Sequence, residues 1–375
     1  MTDGPNVLTV NAGSASLKLR LLDSTDRVVA ATEVPRWAGA GDTEPIEEFL
    51  AGLPRVDAVG HRVVHGGAEF IAAVPIDAAV RQRLAGLADL APLHQPRALA
   101  GIDAVQAALP DVPAVACFDT AFHATLPDAA AVYALPASWR RRWGLRRYGF
   151  HGLSHGYASR RAAELLDRPL AALRTVTCHL GAGASLCAVR GGRSVDTTMG
   201  FTPLEGLVMA TRCGSLDPGV PLWLLRHGKV DIAELADALE HRSGLAGLAE
   251  LRGGDGDLRD VRTAADRGSE AAMLALRVFL HRLRREVAAM AAAMNGLDAL
   301  VFTGGIGEHD SEVRADAAAG LGFLGVHVDH LRNRRARGDA DVSASGAAVS
   351  TLVVTAREDI EIAAQTRSAG VPRFA

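Results

Sequence analysis

The sequence predicts an α/β chain built from two similar domains, and three observations lead there. Its 375 residues exceed one ordinary domain, at roughly 150 residues each. Short apolar runs of strand length alternate with helical patterns along the whole chain. A strand, small-residue turn, strand unit occurs near the start, with strands over 7–10 and 17–22 flanking Asn11-Ala-Gly-Ser-Ala-Ser16. It recurs roughly 170 residues later, with strands over 175–178 and 186–189 flanking His179-Leu-Gly-Ala-Gly-Ala-Ser185.

The remaining elements follow in order. A third strand is expected over 27–32, with further strands over 58–64 and 113–118. Helices are expected over 77–88, 96–108 and 155–166. After the second unit a turn at Gly191-Gly192 leads into a strand over 194–197. Helical stretches follow near 218–226, 231–239 and 257–267. A long helix starts from an N-cap at Ser269 and ends near Asn295 at Gly296. Then come a strand over 299–303, a loop at Gly304-Gly-Ile-Gly307, a helix over 311–319, and a polar loop over 332–345. A strand over 351–355 and a helix over 358–366 close the pattern.

Composition removes several function classes. Apolar residues at 49% give ample surface to bury, so disorder is excluded as the main state. A net charge of −3 offers no electrostatic basis for binding nucleic acid. The longest weakly polar stretch, 287–294, is far below the ~20 residues needed to cross a bilayer. The opening MTDGPNVLTV lacks a basic segment followed by an apolar one, so a cytoplasmic protein is expected. Cys117, Cys178, Cys187 and Cys213 lie far apart without a CxxC pair and read as free thiols.

Several motifs carry candidate chemistry. Small-residue turns let backbone N–H groups close on phosphate oxygens, and Asn11, Ser14, Ser16 and Lys18 add donors and one positive charge to the first. Either turn alone is equally an ordinary hairpin. Both together, with Gly304–Gly307 after a further strand, favour a nucleotide. Gly228-Lys229 lacks the rest of a Walker A motif, and the GxGxxG at Gly320–Gly325 follows a helix instead of a strand. Gly152-Leu-Ser-His-Gly156 fits GxSxG, which raises an esterase with Ser154 as nucleophile as the rival reading. That motif needs an apolar strand before it, and residues 146–151 make a poor one. Thirteen histidines include no HExxH, so His94, His151, His155 and His179 read as donors or as satisfied fold residues. Arg62, Asp119 and Arg212 stand within or beside apolar segments, where an arginine requires an anionic partner, structural or bound.

Taken together, the segments VLTVNAGSASLK, VGHRVVHGG, LAPLH, FDTAFH, YGFHGLSH, TCHLGAGASL, FTPLEGLVMATRCGSLDPG and VFTGGIGE resemble the acetate kinase (acetokinase) family, of the superfamily that also holds sugar kinases and actin. The likeness runs from Val7 to about Ala363. It implies two duplicated ribonuclease H-like domains, 1–122 plus 360–375 and 123–359, with an interdomain active-site cleft and a homodimeric assembly. It implies reversible phosphoryl transfer between ATP and acetate, giving ADP and acetyl phosphate, with Mg2+ or Mn2+. Under the resemblance Arg62 and Arg212 clamp acetate and the moving phosphoryl group, and His151 donates to a phosphoryl oxygen. Asp119 orients an arginine or a metal-bound water, or acts as acid or base. Asn11 and Glu358 hold the metal. Lys18, Ser14 and Ser16 of the first turn face the phosphates, with His179, Leu180, Gly181, Ala182 and Gly183 of the second. Asp257, Leu258 and Arg259 match one nucleoside segment, and Gly305, Ile306, Gly307, Glu308 and His309 the other. Val64, Leu93, Phe150 and Pro203 match the pocket for the acetate methyl, with His94 beside it.

The chain departs from the family pattern at Ala182 and His309, which stand where Asn is usual, and at Ala15, which replaces Ser or Thr; the 31–54 region is also short. These departures leave donor preference open, including a donor other than ATP, and propionate or another short acid remains an alternative acceptor. A nucleotide-binding, non-catalytic member of the superfamily is a further alternative, which the set Arg62, Asp119, His151 and Arg212 argues against.

Overall fold

The computed structural model describes residues 4–13, 16–39, 41–92, 94–251 and 253–369; Ser14, Ala15 and Leu93 lie outside the described residues. Two compact units divide the chain. One takes Met1–Ala124, Phe150–Tyr157 and Arg357–Ala375, and the other takes Thr125–Gly149 and Ala158–Ala356.

Among the described residues each unit holds one six-stranded sheet. The first contains β1 (Val7–Ala12), β2 (Ser16–Leu22), β3 (Val28–Pro35), β4 (Ala58–Val63), β5 (Val74–Pro75) and β6 (Ala114–Phe118), in the order β3-β2-β1-β4-β6-β5. β1, β2 and β3 pair antiparallel, while β1, β4 and β6 run parallel. Alternation explains β2: Leu17, Leu19 and Leu21 are buried against Leu8, Val10, Trp37 and Val105, and Lys18 points to the other side. β6 is apolar throughout because both faces are covered. Ala116 and Phe118 meet Leu99 and Ile102 of the Gln95–Ala108 helix, and Val115 and Cys117 meet Leu153 and Ile362.

The second sheet contains β7 (Arg174–Leu180), β8 (Ala184–Arg190), β9 (Arg193–Thr197), β10 (Ala299–Thr303), β11 (Ala340–Asp341) and β12 (Ser350–Val353), in the order β11-β12-β10-β7-β8-β9. β7, β8 and β9 pair antiparallel, while β7, β10 and β12 run parallel. The run β3-β2-β1-β4-β6 and the run β9-β8-β7-β10-β12 thus share order and directions: two similar domains, as the repeated hairpin predicts, each with the ribonuclease H-like arrangement that the resemblance implies. The long helix forms over Glu270–Ala293, with the Ser269 hydroxyl accepting from the Ala272 N–H at 3.3 Å. It stops where Asn295 and Gly296 turn to positive φ, 54° and 133°.

Two expectations fail. Gly304–Gly307 is helical, within a Gly304–His309 helix that starts directly on the end of β10. The polar 332–345 segment carries most of a His330–Arg335 helix and β11. That helix is capped by the Asp329 carboxylate, which accepts from the Leu331 and Arg332 N–H groups at 2.9 Å each. All four cysteines are free, and no helix among the described residues is long and apolar enough to cross a membrane.

Candidate active site

In the first unit, three predicted site residues sit at the C-terminal ends of adjacent parallel strands, where open α/β sheets place their ligands. Asn11 is near the end of β1, Arg62 near the end of β4, and Asp119 just past β6. Their side chains meet. Arg62 Nη2 donates to Asp119 Oδ2 at 2.6 Å, and its Nε reaches both Asp119 oxygens at 3.2 Å. Arg62 Nη1 donates to Asn11 Oδ1 at 3.1 Å, and Asn11 Nδ2 to Glu358 Oε2 at 3.4 Å. Glu358, opening the Glu358–Ser368 helix, also lies 4.0 Å from Arg62 Nε. Asp119 is 1% exposed and Arg62 15%. Burial alone would depress the Arg62 guanidinium, but the Asp119 and Glu358 charges outweigh it and hold the group above its usual range. Asp119 thus meets the guanidinium with both oxygens, a geometry that orients Arg62.

His151 adopts φ +55°, uncommon for a residue with a side chain, at the entry to the Gly152–Leu165 helix. The Gly152 N–H donates to the Asp119 carbonyl at 3.0 Å, and a Cβ on Gly152 would collide with that oxygen, so the position requires glycine. Phe150 is buried edge-on to His65 at 5.5 Å, and its carbonyl lies 2.9 Å from His123 Nε2. Val64 is buried and His94 half-buried, immediately before the Gln95–Ala108 helix. Ser154 lies in the first turn of the Gly152–Leu165 helix, 1% exposed, with no strand leading into it. The nucleophile elbow of an esterase is therefore absent there. Lys18 Nζ lies 3.6 Å from Glu33, which also accepts from the Ser16 hydroxyl at 2.8 Å. Sequence spacing does not mark Glu33, because it lies on the neighbouring strand.

In the second unit, a cavity of about 610 Å3 opens beside the ends of β7 and β10. Gly181, Ala182, Asp257, Leu258, Arg259, Gly305, Ile306 and His309 line it, as the sequence segments predict. Met209, Leu245 and Phe279, all buried, add an apolar wall suited to a flat ring; helix periodicity marks Phe279 only as core. Gly304 has φ +77°, and a Cβ there would press on the Leu180 backbone, whereas a Cβ on Gly305 would meet nothing. The first amides of the Gly304–His309 helix lack intrahelical partners, as helix starts do. Gly307 and Glu308 are held instead by Arg314, whose Nη1 donates to their carbonyls at 2.9 and 2.8 Å; Glu308 Oε1 accepts from the Ala356 N–H at 2.9 Å. Asp257 caps its helix by accepting from the Arg259 N–H at 2.8 Å. The Arg259 side chain holds its carboxyl below the usual range. His179, Leu180 and Gly183 belong to the same hairpin but not to the cavity wall.

Arg212 belongs to this unit and is half-buried. Its Nη1 donates to the Pro203 carbonyl at 2.8 Å, and among the described residues no carboxylate lies within ion-pair distance of it. Burial depresses its guanidinium, opposed only by the more distant charge of Glu240. A cation held in this way is suited to a bound anion.

The acetokinase family model matches residues 43–364. The chain belongs to the acetokinase family. It is 47% identical over 323 residues to the acetate kinase of Nostoc punctiforme, covering 86% of this chain and 78% of that one. Among solved acetokinase-like structures, the Porphyromonas gingivalis acetate kinase aligns with a TM-score of 0.89 at 35% identity, over 98% of this chain and all of that one. A propionate kinase from Francisella tularensis aligns with a TM-score of 0.89 at 34% identity, over 97% of this chain and all of that one.

Proposed function

We propose that this acetokinase transfers the γ-phosphoryl group of ATP to acetate, reversibly, giving ADP and acetyl phosphate. The observation that carries the reading is the pair of arginines: Arg62 pinned by Asp119 and Asn11, and Arg212 with no carboxylate partner among the described residues. Acetate is already ionised at neutral pH, since carboxyl groups titrate near 4 to 5, so the reaction needs no strong base. An acetate oxygen forms the new bond to phosphorus as the β–γ bridging bond breaks, and ADP leaves with that electron pair. What must be overcome is repulsion between anions, and positioned cations and donors do that. Arg62 and Arg212 neutralise the equatorial oxygens, and His151 donates to one of them. Asp119 keeps Arg62 aimed. By the family resemblance, Val64, Leu93, Phe150 and Pro203, with His94, are assigned to the acetate methyl. Glu358 offers a carboxylate, the donor type that Mg2+ takes, and the Asn11 amide donates to it at 3.4 Å; these two residues would hold the ion mainly through waters, and the ion when bound would neutralise phosphate charge. Lys18 and the 179–183 turn serve the phosphates, and the cavity lined by Asp257, Leu258, Arg259, Gly305, Ile306 and His309 takes the nucleoside.

The decisive assay mixes the protein with ATP, Mg2+ and acetate and traps the product with hydroxylamine. Acetyl hydroxamate should form only when all three are present, and its absence would overturn the reading. Phosphate donor choice is tested at Ala182, which lines the cavity. Ala182→Asn restores an amide there, and one hydrogen bond contributes about 0.5–1.5 kcal/mol, so kcat/KM for ATP should rise roughly 2- to 12-fold. Faster turnover with pyrophosphate than with ATP, or no gain in the variant, would contradict ATP as the donor that this wall serves.

We also infer a cytoplasmic homodimer. Leu216, Val220, Leu222, Trp223 and Ile232 are exposed large apolar residues in one stretch of the second unit, and such clusters mark contact surfaces. Light scattering should give twice the chain mass, and Trp223→Asp should shift it to the monomer. A monomeric wild type would overturn this.

A further inference from the structure

From Thr198 to Pro218 the chain contains turns and bends but no helix or strand, although it carries both Pro203 and Arg212. Such a segment holds one shape when its backbone groups find partners, here both backbone groups, as in Met209 N–H to the Arg212 carbonyl at 3.1 Å, and side chains. Arg147 supplies side-chain bonds from one side. Its Nη1 donates to the Thr197, Thr198 and Met199 carbonyls at 3.0, 3.1 and 3.0 Å, and its Nη2 to Glu205 Oε1 at 2.7 Å. One guanidinium therefore ties the start of the segment to Glu205. Tyr133 closes the other side: its hydroxyl donates to Glu205 Oε2 at 2.6 Å and accepts from the Phe201 N–H at 2.9 Å. Burial first, then the bond to Glu205, holds the Tyr133 phenol above its usual range, so it keeps the proton it donates. The Arg147 guanidinium also lies over the Tyr133 ring, 5.6 Å from its centre. Gly200 is enclosed by this cluster, and a Cβ there would collide with the Glu205 carboxylate and the Tyr133 hydroxyl.

Pro203 lies between the two anchored residues Phe201 and Glu205, and its carbonyl accepts from Arg212 Nη1 at 2.8 Å. With no carboxylate among the described residues within ion-pair distance of the Arg212 guanidinium, that carbonyl sets its direction. We propose that Arg147, acting through Glu205 and Tyr133, is a positioning residue for phosphoryl transfer: the cluster fixes Pro203, and Pro203 aims Arg212. The proposal rests on the acetate kinase reading. A purely structural clamp would hold the fold together without being coupled to Arg212.

The test uses Tyr133→Phe, which keeps the ring and deletes both hydroxyl bonds, with Glu205→Gln as a second variant should the first fold poorly. Each is assayed for acetyl hydroxamate, alone and combined with Arg212→Lys, and each is melted. Displacing a charged group by a fraction of an ångström is costly, so kcat/KM for acetate should fall about tenfold. The KM for ATP should stay within about twofold, because the nucleoside cavity has none of these residues on its wall. In the Arg212→Lys background the same substitution should cost less than about threefold, since the group it aims has been replaced. Two results would overturn the proposal: acetate kcat/KM within about threefold of wild type in both variants, or an undiminished effect in the Arg212→Lys background. A wild-type protein that makes no acetyl hydroxamate would instead overturn the acetate kinase reading itself.

Discussion

Arg62→Ala should lose activity and stability together. The side chain lies between Asp119, Asn11 and Glu358 and is itself largely buried. Removing it takes the guanidinium away from a carboxylate that is 1% exposed. Breaking a buried ion pair from one side costs about 3–5 kcal/mol, because the remaining charge loses its compensation. The melting temperature should therefore fall by several degrees. The acetyl hydroxamate rate should fall at least ~100-fold, the scale set by removing a preorganised charge from a transition state. The double variant Arg62→Ala, Asp119→Asn separates the two effects. It removes the charge that Arg62 balanced, so it should regain much of the stability and none of the activity. Full activity in Arg62→Ala would remove the residue from the proposed mechanism. Recovered activity in the double variant would make Asp119 inhibitory, contrary to an orienting role.

The features visible in the sequence are the local ones. The duplicated hairpins announce the two sheets because each turn is bounded by apolar runs of strand length. Arg62 and Asp119 stand out because a charge at the end of an apolar strand needs a partner, and here they are each other's. Gly304–Gly307 misleads because three glycines in four residues argue against a helix on propensity. The helix forms because β10 ends there, Gly304 supplies the positive φ that turns the chain, and Arg314 holds the later carbonyls. The helix at His330–Arg335 is hidden by its polarity: Asn333 is its one buried residue, and it bonds Arg314. Long-range partners leave no trace in spacing. Glu33 beside Lys18, and Glu205 between Arg147 and Tyr133, are brought in by strand pairing and by loop packing.

Arg212→Met should behave oppositely to Arg62→Ala in stability while matching it in activity. Arg212 has no ion pair among the described residues, and burial disfavours its charge. Methionine keeps much of the apolar stem and removes the charge, which costs the protein one hydrogen bond to the Pro203 carbonyl, about 1 kcal/mol. Relief of the buried charge offsets that loss, and replacing buried ionic groups by apolar ones is often neutral or stabilising. The melting temperature should thus stay within a few degrees of wild type or rise. The rate should nevertheless fall at least ~100-fold, because the anion that this charge is placed to meet is present only during turnover. ATP affinity should change little, since Arg212 is absent from the wall of the nucleoside cavity. A melting temperature that falls as far as in Arg62→Ala would mean that Arg212 already has a compensating partner in the free protein, and its assignment to the phosphoryl group would then fail. A variant that is stable, binds ATP and makes no acetyl phosphate is the expected result: function at this position is held at a cost in stability, whereas at Arg62 the two coincide.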